Sequence, residues 1–122
     1  MTRCAPCSGG IGKATARLFA ARGVHLALHY YTEHDVINAL VEELRPLGVR
    51  VAAFSADLAD FDATRAMYKR VVEELGHPDI FYSNAARAGT MLGIKGRVQD
   101  VSIEEFEQSW RVNAGSAFLV SN

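Results

Sequence analysis

A doubly wound parallel sheet flanked by helices is the α/β fold class that this sequence predicts, and three observations carry the prediction. Short runs of β-forming residues alternate with amphipathic helical segments along the whole chain. A glycine cluster, Gly9, Gly10 and Gly12, stands where a first strand would hand over to a first helix. No internal repeat, low-complexity tract or Pro/Gly-rich linker interrupts the pattern, so residues 1–122 read as one domain.

Behind the glycine cluster, Ile11, Ala14, Leu18 and Phe19 keep helical spacing up to Arg22 and Gly23, where the glycine can cap the end. Residues 24–30 are rich in Val, Leu and Tyr and too short for an average helix, which predicts a strand pointing at a ligand. Thr32 can cap a second helix, with Val36, Ile37, Leu40, Val41 and Leu44 on one stripe before Pro46 and Gly48 stop it. Residues 49–55 read as another strand. Asp60 is the expected N-cap of a third helix, which turns Thr64, Met67, Val71 and Leu75 to one face and ends at Gly76-His77-Pro78. Residues 79–83 form the next strand. Residues 87–101 hold three glycines and no clean period, which predicts an exposed loop. Ser102-Ile103-Glu104-Glu105 is a capping box, opening a fourth helix in which Ile103, Phe106, Trp110 and Ala117 share a stripe.

Thirteen Lys and Arg against fourteen Asp and Glu give a net charge of −1, which leaves no broad field to gather nucleic acid or an anionic membrane. Apolar runs are far shorter than the roughly 20 residues a bilayer requires, and residues 1–8 lack the apolar core of a secretion signal. A cytoplasmic location is therefore expected. Cys4 and Cys7 cannot make a disulfide framework, but their Cys-x-x-Cys spacing leaves a thiol-redox reading open. No metal site is expected: the cysteines have no nearby histidine, and His25 and His29 stand roughly 13 Å apart on one strand face. A P-loop is excluded, because Lys13 is followed by Ala14 and Cys7 takes the place of the required earlier glycine.

Four motifs recur in one order: Ser8-Gly9-Gly10-Ile11-Gly12 before the first helix, Ala56-Asp57-Leu58 after a strand, Ser83-Asn84-Ala85-Ala86 after the next, and Val112-Asn113-Ala114-Gly115 in the last helix. In order and spacing they resemble the short-chain dehydrogenases/reductases, from about Ala5 to the end, corresponding to the first half of a typical member. The resemblance implies a Rossmann-like fold and an NAD(P)-dependent oxidoreductase that interconverts a carbonyl and an alcohol. An oxoacyl or ketone reductase is the commonest association. It makes Ser8, Gly10, Ile11 and Gly12 the pyrophosphate turn, where backbone N–H groups and a helix N-terminus favour an anion. It makes Asp57, with Leu58 beside it, the contact to adenine, and Asn84 and Ala85 the lining of the nucleotide ribose. Asn113 becomes the helix asparagine that supports a proton relay. The resemblance also implies a small carbonyl or alcohol substrate and a homo-oligomer formed through residues 102–122. Taken on their own, Asp57 and Asn84 read as turn residues, and Asn113, seven residues after Phe106 on the apolar stripe, as a buried amide in need of partners.

Cofactor choice depends on the residues after the second strand, where an acid holds the ribose of NAD and a base accommodates the phosphate of NADP. The strand ends His29-Tyr30-Tyr31-Thr32, with Glu33 slightly late, which favours NADP over NAD. Gly9, a position often basic in NADP-using members, adds no support.

Two departures from the family pattern set the expectation for activity. The family's Tyr-x-x-x-Lys pair, in which lysine lowers the phenol pKa for proton exchange, is absent. Tyr30, Tyr31, Tyr68 and Tyr82 are followed four residues later by His34, Asp35, Val72 and Ala86. Pro6 occupies the place of the family's first glycine, and only seven residues precede Ser8 to form a first strand. In a sheet ordered 3-2-1-4 such a defective strand would leave a slot in the middle. Ser83 and Ala86 also replace the usual Asn and Gly, which are milder changes. The sequence thus predicts an incomplete dinucleotide-binding domain, first strand defective and C-terminal half absent, from a truncated product, an alternative transcript or a faulty gene model. It would bind nucleotide at best. The alternatives are a non-catalytic nucleotide-binding or dimerisation module and a thiol-redox protein using Cys4 and Cys7.

Overall fold

The computed structural model describes residues 2–6, as the backbone of a strand, and residues 9–121. Among them, β1 (Thr2–Pro6), β2 (His25–Tyr30), β3 (Val51–Ser55) and β4 (Ile80–Phe81) form one parallel sheet in the order β3-β2-β1-β4. Helices α1 (Gly10–Ala20), α2 (His34–Leu44) and α3 (Phe61–Leu75) connect successive strands. Beyond a loop come α4 (Ile103–Trp110) and α5 (Ser116–Ser121). Cys7 and Ser8 lie outside the described residues, and Cys4 is described only as strand backbone.

Side chains alternate across a strand, so an inner strand of a parallel sheet must be apolar on both faces. β2 meets this requirement. Leu26 and Leu28 join Ala16 and Ala20 of α1 and Ile37, Leu40 and Leu44 of α2 in one core. Ala27 joins Phe54 of β3 and Met67, Val71 and Leu75 of α3 in a second core on the opposite face. Two cores on two faces of one sheet are what a doubly wound fold requires.

The first strand departs from expectation, because Thr2–Pro6 fills the slot between β2 and β4. It pairs with β2 from Thr2 opposite His25 to Pro6 opposite His29, and with β4 through Arg3 opposite Ile80 and Cys4 opposite Phe81. Pro6 is tolerated because it stands at the last register position, where one missing N–H removes at most one ladder bond.

Helix boundaries follow local chemistry. Asp60 caps α3, its Oδ1 accepting from Asp62 N at 2.9 Å and Ala63 N at 3.0 Å. Ser102 and Glu105 close the capping box of α4. Thr32 does not cap α2; Glu33 holds the N-cap position, and its carboxylate accepts from Thr32 N at 3.2 Å. The helix running on from α4 is interrupted by a π-turn at Arg111–Gly115, which shifts the helical register. Its buried side is therefore Val112, Gly115, Ser116 and Val120, while Ile103, Phe106 and Trp110, expected on the buried stripe, are exposed. Gly115 is required by close packing, since a Cβ there would lie 2.7 Å from Phe61 Cζ and 2.8 Å from Trp110 Cζ3. The segment 87–101 is a loop carrying two 3-10 turns, at Gly89–Leu92 and Val98–Asp100.

Candidate functional site

The carboxyl ends of β2, β3 and β4 open onto a pocket of about 350 Å³. Gly9 lines it from the turn before α1, and Tyr30, Tyr31 and Glu33 from the turn after β2. Ala56, Asp57 and Leu58 line it from the turn after β3, and residues 84–87 with Met91 from the loop after β4. The fold thus brings Asp57, Leu58, Asn84 and Ala85, singled out from the sequence, to one cavity.

Gly9 is extended (φ −88°, ψ 168°), and its carbonyl accepts the first intrahelical bond, from Lys13 N at 3.0 Å. Gly10, Ile11 and Gly12 then form the first turn of α1, whose N–H groups have no intrahelical acceptors. Among the described residues, a Cβ built on Gly9 or Gly10 meets nothing within 4 Å.

Asp57 begins a turn, its Oδ1 accepting from Ala59 N and its carbonyl from Asp60 N, both at 3.0 Å. The structural reading and the pocket-lining position therefore coincide in one residue. Glu33 is held below the usual carboxylate range by backbone N–H groups, its own and those of Thr32 and Tyr31, with the Arg87 guanidinium adding to the effect.

Asn113 is exposed rather than buried, and its partners lie on the pocket loop. Its Oδ1 accepts from Arg87 N at 2.8 Å, and its Nδ2 donates to Arg87 O at 3.0 Å and to Ser109 Oγ at 3.3 Å. The amide pairs with the loop as a neighbouring strand would. The π-turn presents it, which is how a helix residue reaches a strand-end loop. Asn113→Asp should destabilise the fold by about 1 kcal/mol despite its equal size, because its second oxygen would face the Arg87 carbonyl. Urea unfolding measures this; an unchanged midpoint would show that the clamp contributes nothing.

His29, one residue before the end of β2, also lines the pocket; the sequence singled it out only to set aside a metal site with His25. Only 6% exposed, it donates from Nε2 to Ala56 O at 3.0 Å. That tautomer leaves Nδ1 as an acceptor, with no partner among the described residues. Burial pushes its pKa down, against the opposing pull of the Ala56 carbonyl and the Glu33 and Asp57 carboxylates. The unfolded chain therefore takes up this proton at higher pH than the folded one. Stability should fall as pH drops below about 6.5, the unfolded value, and the decline should end once pH passes the depressed folded value. His29→Gln should flatten that limb in denaturant midpoints measured across it; an unaltered slope would place the uptake elsewhere.

A doubly wound sheet with a glycine turn at its first helix and a pocket across the strand ends defines a dinucleotide-binding type of α/β domain. The family model described as enoyl-(acyl carrier protein) reductase matches residues 7–122. The chain belongs to the short-chain dehydrogenase/reductase family of oxidoreductases. It is 31% identical over 112 residues to versicolorin reductase stcU of Emericella nidulans, covering 92% of this chain and 40% of that protein. It is 37% identical over 78 residues to the 3-oxoacyl-[acyl-carrier-protein] reductase FabG of Staphylococcus aureus, covering 64% of this chain and 32% of that one. Its fold superposes on a short-chain dehydrogenase/reductase from Serratia marcescens with a TM-score of 0.85 at 26% identity, over 98% of this chain and 47% of the other. The same TM-score, at 29% identity and equal coverage, relates it to a blue fluorescent protein from a metagenomic library, solved in complex with NADPH. The chain thus spans less than half the length of these relatives. Among the described residues, no helix is long and apolar enough to cross a membrane.

Proposed function

We propose that residues 1–122 act as a domain that binds a nicotinamide dinucleotide for an oxidoreductase interconverting a carbonyl and an alcohol. The observation that carries this reading is the convergence of Gly9, Asp57, Leu58, Asn84 and Ala85, from three separate turns, on one pocket at the strand ends. The residues fit such a cofactor. The first turn of α1 at Gly10, Ile11 and Gly12, with Ser8 before it in sequence, offers N–H groups to the pyrophosphate. Asp57 keeps its second carboxylate oxygen for the exocyclic amine of adenine, with Leu58 beside the ring. Asn84 and Ala85 line the ribose side, and Asn113 supports them as a positioning residue by holding the Arg87 backbone. The bound cofactor supplies a hydride acceptor or donor; these residues bind and orient it. The 122 residues contain no Tyr-x-x-x-Lys pair, so the reading assigns them nucleotide binding and no turnover alone.

A thermal melt with and without millimolar NADPH or NADH tests the reading. A ligand that binds only the folded state adds roughly 2.7 kcal/mol at one hundred times its dissociation constant, raising the midpoint. No shift with either nucleotide would refute it. A second reading, self-association through residues 102–122, is supported by the exposed Ile103, Phe106, Trp110 and Phe118. A mass independent of concentration in sedimentation would remove it.

A further inference from the structure

Among the described residues lining the pocket, Glu33 and Asp57 are acids, burial favours neutral His29, and Arg87 is the one permanent cation. The Arg87 guanidinium lies 4.2 Å from the centre of the Tyr31 ring, joining the loop after β4 to the turn after β2. Its backbone is held on both sides by the Asn113 amide, at 2.8 and 3.0 Å. Stacking engages the face of a guanidinium and leaves the N–H groups along its edge available to an anion. Among the described residues those groups make no ion pair. Glu33 is near enough to feel the charge, but backbone N–H groups already hold its carboxylate.

The glycine turn takes the pyrophosphate in this reading, so a cation at the end of β2 answers to a different anion. Tyr31 stands where the adenosine ribose hydroxyls lie in dinucleotide folds. We propose that Arg87, stacked on Tyr31, is a specificity-determining residue that binds a phosphate on the adenosine ribose, so that the site takes NADP in preference to NAD. The inference rests on the dinucleotide reading above. The Glu33 carboxylate works against such a phosphate, so without Arg87 the two anions would face each other unpaired.

Fluorescence titration of the full chain with NADPH and with NADH, repeated on Arg87→Gln and Arg87→Lys, tests the assignment. NADPH should bind at least about tenfold more tightly than NADH. Arg87→Gln should lose about tenfold for NADPH and change NADH by less than about twofold, and Arg87→Lys should retain part of the preference. Equal affinity for the two cofactors in the unaltered chain, or equal weakening of both by Arg87→Gln, overturns the assignment and leaves dinucleotide binding standing. Failure of both cofactors to bind the folded chain overturns the two together.

Discussion

Gly10→Ala should leave the fold intact and cost at least about tenfold in dinucleotide affinity. Substitutions at ligand-binding glycines often confound binding with folding, and here the two separate. Among the described residues a Cβ at Gly10 meets no atom within 4 Å, and its backbone φ is not in the left-handed region, so alanine fits there without strain. Alanine is also the better helix former, which should hold stability constant or raise it by about 0.5 kcal/mol. The added methyl instead occupies space through which a pyrophosphate would reach the N–H groups of the first turn. Parallel melts and NADPH titrations read both quantities. A variant that binds as tightly as the unaltered chain would remove the glycine turn from the site.

Leu28→Ala carries the largest expected loss of stability, about 2–5 kcal/mol. Leu28 is 0% exposed in the inner strand β2, paired opposite Ala5 of β1 and Ala53 of β3. It belongs to the core shared with α1 and α2. Ala53, opposite it on β3, is too small to expand into the space, so the cavity stays open. Against a typical domain stability of about 5–15 kcal/mol the loss is severe, and a saturating nucleotide should restore part of it by mass action. Urea unfolding with and without NADPH checks both statements; a loss below about 1 kcal/mol would mean that the core there is not close-packed.

Where the determinants are local, the sequence was readable. Asp60 and Ser102 cap the helices assigned to them because a cap needs only its own turn. The stripe of α3 is buried as its spacing requires, and so is that of α2 except for Val36, which at the first turn is 40% exposed. Asp57, Leu58, Asn84 and Ala85 were legible as motifs at strand ends, and all four reach the pocket. Long-range determinants were not legible. Five residues ending in proline show no periodicity that announces β1; its partners at residues 25–29 and 80–81 define it. Nothing in Arg111–Gly115 signals a π-turn, yet that turn decides which side of the following helix is buried. The stripe of α4 is amphipathic as read, but burial depends on what stands opposite, and Ile103 and Phe106 meet solvent. Arg87 directly follows a recognised motif, and only its contact with Tyr31 distinguishes it from an ordinary loop arginine.

The central place of β1 also sets an order of events during synthesis. Thr2–Pro6 leaves the ribosome ahead of every segment it pairs with. One of its edges must await residues 25–29 and the other residues 80–81, an interval on the order of ten seconds at ordinary elongation rates. Throughout that interval the middle of the future sheet is a bare strand with one side unmatched, open to pairing with another nascent chain. The same five residues that complete the sheet are, while translation proceeds, the segment whose protection depends on how soon the later strand arrives.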